Sequence, residues 1–296
     1  MTRIWRVVAP SFLLTACIST DLDEHALRTC ASREASAPDI RAIVRLSLGE
    51  PPYEECNAVV IAPALLLTTV NCVSTLVSRD EDRAGSTAPR CMPSGAPIED
   101  GSFLFRYATP VAAGSITVSS TNAAAFEAVV DELYVSAAAS TCMADLALVK
   151  LQLAIDAPVL PVRLDAQELA GDEVVIAGDE ITLLGTELLT STASIVESTT
   201  DQGSSTLPPR SLLLSGDTCA KAGSAVISAD SGALIGLLQP TARTINCETG
   251  ADASPIAVRV APFRRFLLEG ARAAQTSLLA EYGSDTAGLI SPCKEP

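Results

Sequence analysis

CNAVVIAPALLLTTVNCV, residues 56–73, sets an apolar, β-branched run between two cysteines sixteen positions apart. Ala58 to Ile61 and Leu65 to Val70 have the composition of strands, and Pro63 between them interrupts the run. The stretch therefore reads as a strand, a turn, a second strand and a short bend back. Cysteines at its two ends can staple the base of that pair. Polar Asn71 stands directly before the second of them.

The same pattern continues on both sides. The chain has 296 residues, of which 48% are apolar, enough for one large β domain or two small ones with a buried core. Strand-like runs recur at Ala42 to Leu48, Ser102 to Tyr107, Ser115 to Ser119, Ala128 to Val135 and Asp145 to Leu151. Residues 156–172 carry Pro158, Pro161 and a polar turn, and read as a crossover. A second set follows at Val174 to Ala177, Ile181 to Leu184, Ala193 to Val196, Ser211 to Ser215, Ala225 to Ser228, Ala233 to Leu238 and Ala257 to Val260. Many short strands without a long helix between them indicate a sandwich or a barrel. Near the end, Pro262 suits a first helical position, and Phe263, Phe266, Leu267, Ala274 and Leu278 recur at helical spacing. A helix is expected over 262–283, stopping at Gly283, before a tail over 284–296. The acidic loop around Asp80, Glu81 and Asp82 shows no ligand spacing, so no metal and no cofactor are expected.

The N-terminus carries a second signal. Arg3 and Arg6 precede a short apolar run ending Leu14-Thr15-Ala16-Cys17, too short to span a bilayer and laid out like a secretory signal. Its end resembles the bacterial lipobox, in which the cysteine is diacylated and becomes the first residue of the mature protein. The resemblance implies a signal peptide over 1–16, membrane attachment through acylated Cys17, a tether over 17–38 and a lipid-anchored place in the bacterial cell envelope. Removing residues 1–16 takes away two arginines and no acid, so the formal charge goes from −15 to −17, which argues against nucleic acid as a partner. Nine cysteines become eight, an even number in an exported chain, and four disulfides are the expectation. The single histidine, His25, falls in the tether, where a solvated side chain is the expected state. The body of the protein contains no imidazole.

Four stretches together resemble the trypsin/chymotrypsin-like serine peptidases. Residues 56–73 are similar to the family's segment that runs from Cys through Gly-Gly, an apolar strand, Ser-Pro and a second strand to Leu-Thr-Ala-Ala-His-Cys, with Asn71 where the catalytic histidine belongs. Asp145-Leu146-Ala147-Leu148-Val149-Lys150-Leu151 is similar to the strand whose aspartate orients that histidine. Ala261-Pro262-Phe263 resembles the entry to the terminal helix. Residues 217–227, DTCAKAGSAVI, stand at the nucleophile loop, normally Asp-Ser-Cys-x-Gly-Asp-Ser-Gly-Gly-Pro. Counting from Cys219, Lys221 replaces the oxyanion glycine, Ala222 the buried aspartate and Gly223 the nucleophilic serine. A one-residue slide puts Ser224 there instead. Asp230-Ser231-Gly232 repeats the central tripeptide in letters but lies between two apolar strands and reads as a hairpin turn.

The resemblance implies an all-β fold of two packed six-stranded antiparallel barrels with a C-terminal helix, over 39–283: a first barrel at 39–155, a second at 173–261 and the helix at 262–283. It implies disulfides Cys56–Cys72 and Cys219–Cys247, leaving Cys30, Cys91, Cys142 and Cys293 unassigned. Asp217 falls where trypsin-like members hold a basic substrate side chain; a turn aspartate is the other reading. The family's activating Ile-Val-Gly-Gly terminus has no equivalent. A serine hydroxyl needs a base to remove its proton, and Asn71 has no basic nitrogen. The expected function is a catalytically inactive scaffold binding a peptide or protein in the inter-barrel cleft. The alternatives are an endopeptidase that uses Ser224 or Ser231 and Asp145 with an unorthodox base, and a structural envelope lipoprotein.

Overall fold

The computed structural model describes residues 27–30, 38–48, 54–77, 104–107, 116–120, 127–136, 146–165, 168–182, 185–199, 204, 207–216, 218, 220–239 and 254–281. Its strands are β1 (Leu27–Cys30), β2 (Ile43–Leu48), β3 (Glu54–Ala62), β4 (Leu65–Thr69), β5 (Leu104–Tyr107), β6 (Ile116–Ser120), β7 (Glu127–Ser136) and β8 (Leu146–Leu151). They continue with β9 (Val162–Arg163), β10 (Glu173–Thr182), β11 (Gly185–Ser198), β12 (Ser211–Leu214), β13 (Ala225–Ser228), β14 (Leu234–Leu238), β15 (Ile256–Arg259) and β16 (Leu278–Glu281). Two helices, α1 (Val70–Val77) and α2 (Arg264–Ala273), complete the described elements apart from short 3-10 turns.

Each half closes on itself. In the first, the order β7-β6-β2-β3-β4-β8 is sealed by antiparallel pairing of β8 with β7, and β5 lies outside on β7. In the second, β14-β13-β10-β11-β12-β15 is sealed by β15 on β14. Both are six-stranded antiparallel barrels, and closure leaves no open edge within either ring.

The run around Pro63 is buried on both of its faces. Every residue from Asn57 to Ala62 and from Leu65 to Val70 is buried, because β3 and β4 line the first barrel on one side and meet the second half on the other. That is why the sequence there is almost continuously apolar instead of alternating. The crossover lies along the same strands, with Leu160 N–H donating to Val60 O and Ile155 N–H to Pro63 O. A single core runs from Ile43, Leu66 and Leu148 through Val162 and Leu237 to Phe266 and Leu267 of α2, while Val174, Ile195, Leu212 and Val226 fill the second barrel.

Three local expectations are corrected. Residues 27–30, assigned to the tether, form β1, which pairs in parallel with β16. Leu278, placed on the helical stripe, belongs to β16: α2 ends at Ala273 and Gln275 takes a φ of 54°, a conformation that an L side chain does not carry through a helix. Beyond it burial alternates residue by residue, so a period of two wins over the helical one. Ile181 is not part of a separate strand but extends β10.

β9 and β16 prolong the second sheet in parallel from β14. There Arg163 pairs with Glu281 at 2.8 Å and donates to Ser228 Oγ and Ser231 Oγ. Burial, the largest influence, opposes the charge on Arg163, but hydrogen bonding to Glu281 holds its pKa above the ordinary range. The Asp230-Ser231-Gly232 stretch makes the turn between β13 and β14, closed by Gly232 N–H to Ser228 O and Ser228 N–H to Ala233 O. Ser231 thus serves a hairpin and a guanidinium.

Candidate functional site

Residues 56–73 and 220–224 meet between the barrels. Cys56 and Cys72 are bonded, with Cα atoms 5.8 Å apart, so the start of β3 is stapled to the first turn of α1. Asn71 lies in that turn and is half-buried. Two residues upstream, Thr69 stands opposite Leu146 at the start of β8. Asp145, Asp217, Cys219, Cys247 and Cys17 lie outside the described residues.

The 220–224 loop is gripped from three directions. Lys221 N–H donates to Asp179 O at 3.0 Å, Asn57 N–H to Ala222 O at 2.9 Å, and Gly223 N–H to Leu238 O at 2.9 Å. In the family that the sequence resembles, the positions that fall on Lys221 and Gly223 supply the backbone N–H groups of the oxyanion hole. Both groups are already committed to protein carbonyls. A hole works only when its donors point at the place where charge develops, so this loop has no such pair to offer from those positions.

Gly223 has a φ of +80°, and a Cβ built on it would lie 2.0 Å from the carbonyl oxygen of Asn57 and 2.9 Å from Thr68 Oγ1. The backbone there admits no side chain of any kind. Ser224 is completely buried. Its hydroxyl donates to Lys221 O at 2.6 Å and accepts from Asn57 Nδ2 at 2.8 Å. The proton is thus held by a carbonyl and the oxygen by an amide, neither of which is a base.

Charged pairs cross the same seam. Arg45 of β2 meets Asp179 of β10 at 2.6 Å, and Lys221 meets Glu55 of β3 at 2.5 Å. Arg45 stands opposite Asn57 and Ser47 opposite Glu55, so the three polar side chains Arg45, Glu55 and Asn57 share one face of the β2–β3 pair. Asn57 also accepts from Asp179 N–H through Oδ1 at 3.2 Å. Asn57, Glu55, Arg45 and Asp179 were not singled out from the sequence. The signal for Asn57 was its position, a polar residue inside a run of seven otherwise apolar ones, since a polar group buried there must be hydrogen-bonded.

The two closed six-stranded barrels recur in solved structures. Scabies mite inactivated protease paralogue S-I1 superposes with a TM-score of 0.52 at 12% identity, covering 81% of this chain and 100% of that one. The fold is that of trypsin-like serine peptidases. A second scabies mite inactivated paralogue, S-D1, gives 0.54 at 10% identity over 84% of this chain and 99% of that one. A mutant of human heparin binding protein gives 0.52 at 14% identity over 82% and 96%. No protein-family model and no curated protein matches the sequence.

Proposed function

We propose that this trypsin-like fold is a catalytically silent scaffold, exported and held in the cell envelope by acylated Cys17, that binds a peptide or protein segment in the cleft between its barrels. One observation carries the silent half of that reading: the backbone donors of Lys221 and Gly223 are spent inside the protein, beside a loop with no room for a side chain at Gly223 and no releasable proton at Ser224. The lack of any imidazole outside His25, with Asn71 where the base would sit, points the same way. That two of the similar structures are themselves described as inactivated paralogues is consistent with it. The acidic surface, with a sequence pI of about 4.4, and Asp217 favour a basic segment as the ligand.

Incubating the purified chain with a fluorophosphonate probe and with Lys and Arg peptide esters is expected to give neither labelling nor turnover. Labelling at Ser224 or Ser231 that its alanine variant abolishes would sink the reading. Anchoring has its own test. Cys17→Ser is expected to abolish incorporation of labelled fatty acid and to move the protein out of the membrane fraction; unchanged labelling and fractionation would remove the anchor from the proposal.

A further inference from the structure

The bond between Cys56 and Cys72 has two unlike ends. Cys56 lies in β3 and is half-buried, whereas Cys72, in the first turn of α1, is only 3% exposed. A thiolate opens a disulfide by attacking one sulfur in line with the bond, so that the other sulfur leaves. Access therefore favours attack at Cys56 and departure of Cys72.

The surroundings of Cys72 suit a leaving sulfur. Thr69 Oγ1 donates to Cys72 Sγ at 3.2 Å, and Thr69 is completely buried. Among the described residues that sulfur is the hydroxyl's only partner. A buried hydroxyl is costly unless it is bonded, and an apolar side chain would pack the strand as well, so this hydroxyl is placed for the sulfur. Its proton is directed at the atom on which negative charge develops when the bond breaks. Cys72 is also the third residue of α1, where the positive end of the helix favours a thiolate. Burial beside Val70 and Val73 works against that charge, and the hydroxyl and the helix end offset it.

We propose that Cys56–Cys72 is a redox switch, opened by a dithiol reductant in one order only. The reductant's thiolate attacks Cys56 Sγ, the S–S bond breaks, and its electron pair leaves on Cys72 Sγ. The reductant's second thiol then displaces Cys56 from the mixed disulfide. The reductant ends as a disulfide, and its two protons pass to Cys56 and Cys72. Opening frees the start of β3 from the first turn of α1, at the place where residues 56–73 meet the 220–224 loop. That turn carries Asn71, so the state of one bond sets how firmly Asn71 is held. The inference goes beyond the proposed function and is independent of what the cleft binds.

The full chain, purified without reductant, is treated with glutathione as the probe and stopped with excess N-ethylmaleimide. Both cysteines fall in one tryptic peptide, Leu46–Arg79, and its fragmentation is expected to place glutathione on Cys56 and maleimide on Cys72. Thr69→Val is expected to slow opening about tenfold, and Thr69→Ser to keep the wild-type rate. Once the bond is open, whether by dithiothreitol or in a Cys56→Ala, Cys72→Ala variant, the amides of residues 70–77 are expected to exchange at least about tenfold faster while those of β4 keep their protection. Glutathione on Cys72, a Thr69→Val rate equal to wild type, or unchanged exchange over 70–77 overturns the inference. So does a bond that opens only in urea, which makes it a structural staple. The position of the glutathione is read on the wild-type chain and stands whether or not the variants fold.

Discussion

Gly223→Ala is expected to destabilise the protein by about 4 kcal/mol, combining about 1–2 kcal/mol for a left-handed residue that gains a Cβ with about 1–3 kcal/mol for overpacking against neighbours that cannot move. The neighbour here is backbone: the carbonyl of Asn57 would lie 2.0 Å from the new carbon. That carbonyl already accepts from Thr68 Oγ1 at 2.7 Å between two completely buried residues, so it has nowhere to retreat. At roughly 2–4 °C per kcal/mol for a chain of this size, the thermal midpoint should fall by about 10 °C. Urea unfolding followed by circular dichroism measures it. A loss below about 1 kcal/mol would show that the loop accommodates a side chain, and with that the case against a nucleophile at this position would weaken. The same geometry predicts that Asn71→His combined with Gly223→Ser restores no esterase activity, because the serine would unseat the loop before it could act.

The second large effect lies at the pair that joins β2 to β10. Arg45→Met is expected to cost about 3–5 kcal/mol, the penalty for leaving a buried carboxylate without its cation. Asp179 is completely buried, and its second oxygen has no hydrogen-bond partner among the described residues, so Arg45 is its main compensation. The diagnostic is the double variant. Arg45→Met with Asp179→Leu removes both charges and is expected to recover at least half of the loss, as buried ion pairs replaced by apolar residues often do. Additive losses in the double variant, measured by the same urea titration, would mean that the pair does not couple the two barrels.

Both predictions concern residues that became visible by different routes. Gly223 was legible as a departure from a family pattern, because the cysteine count placed it. Its meaning changed with the structure: a position read as a serine that had been lost proves to be one whose backbone excludes any side chain. Arg45 and Asp179 were invisible, since they are 134 residues apart and each reads as an ordinary polar residue in a strand.

The apolar run around Pro63, its bracketing cysteines and the two sets of short strands were enough to read a sandwich or a barrel, because burial pattern, turn chemistry and cysteine spacing are local properties that the residues carry with them; the double barrel came from the family resemblance. The absence of a histidine from the body of the chain is likewise a fact of composition. Tertiary structure decided what no local property encodes. It set which carbonyl the backbone N–H groups of Lys221, Gly223 and Ser224 donate to, turned the end of an expected helix into a strand, and paired residues 27–30 with the far end of the chain. The physical reason is the same throughout: a hydrogen bond or an ion pair between distant segments depends on where folding puts its partner, and the strength of either group's own preference says nothing about that.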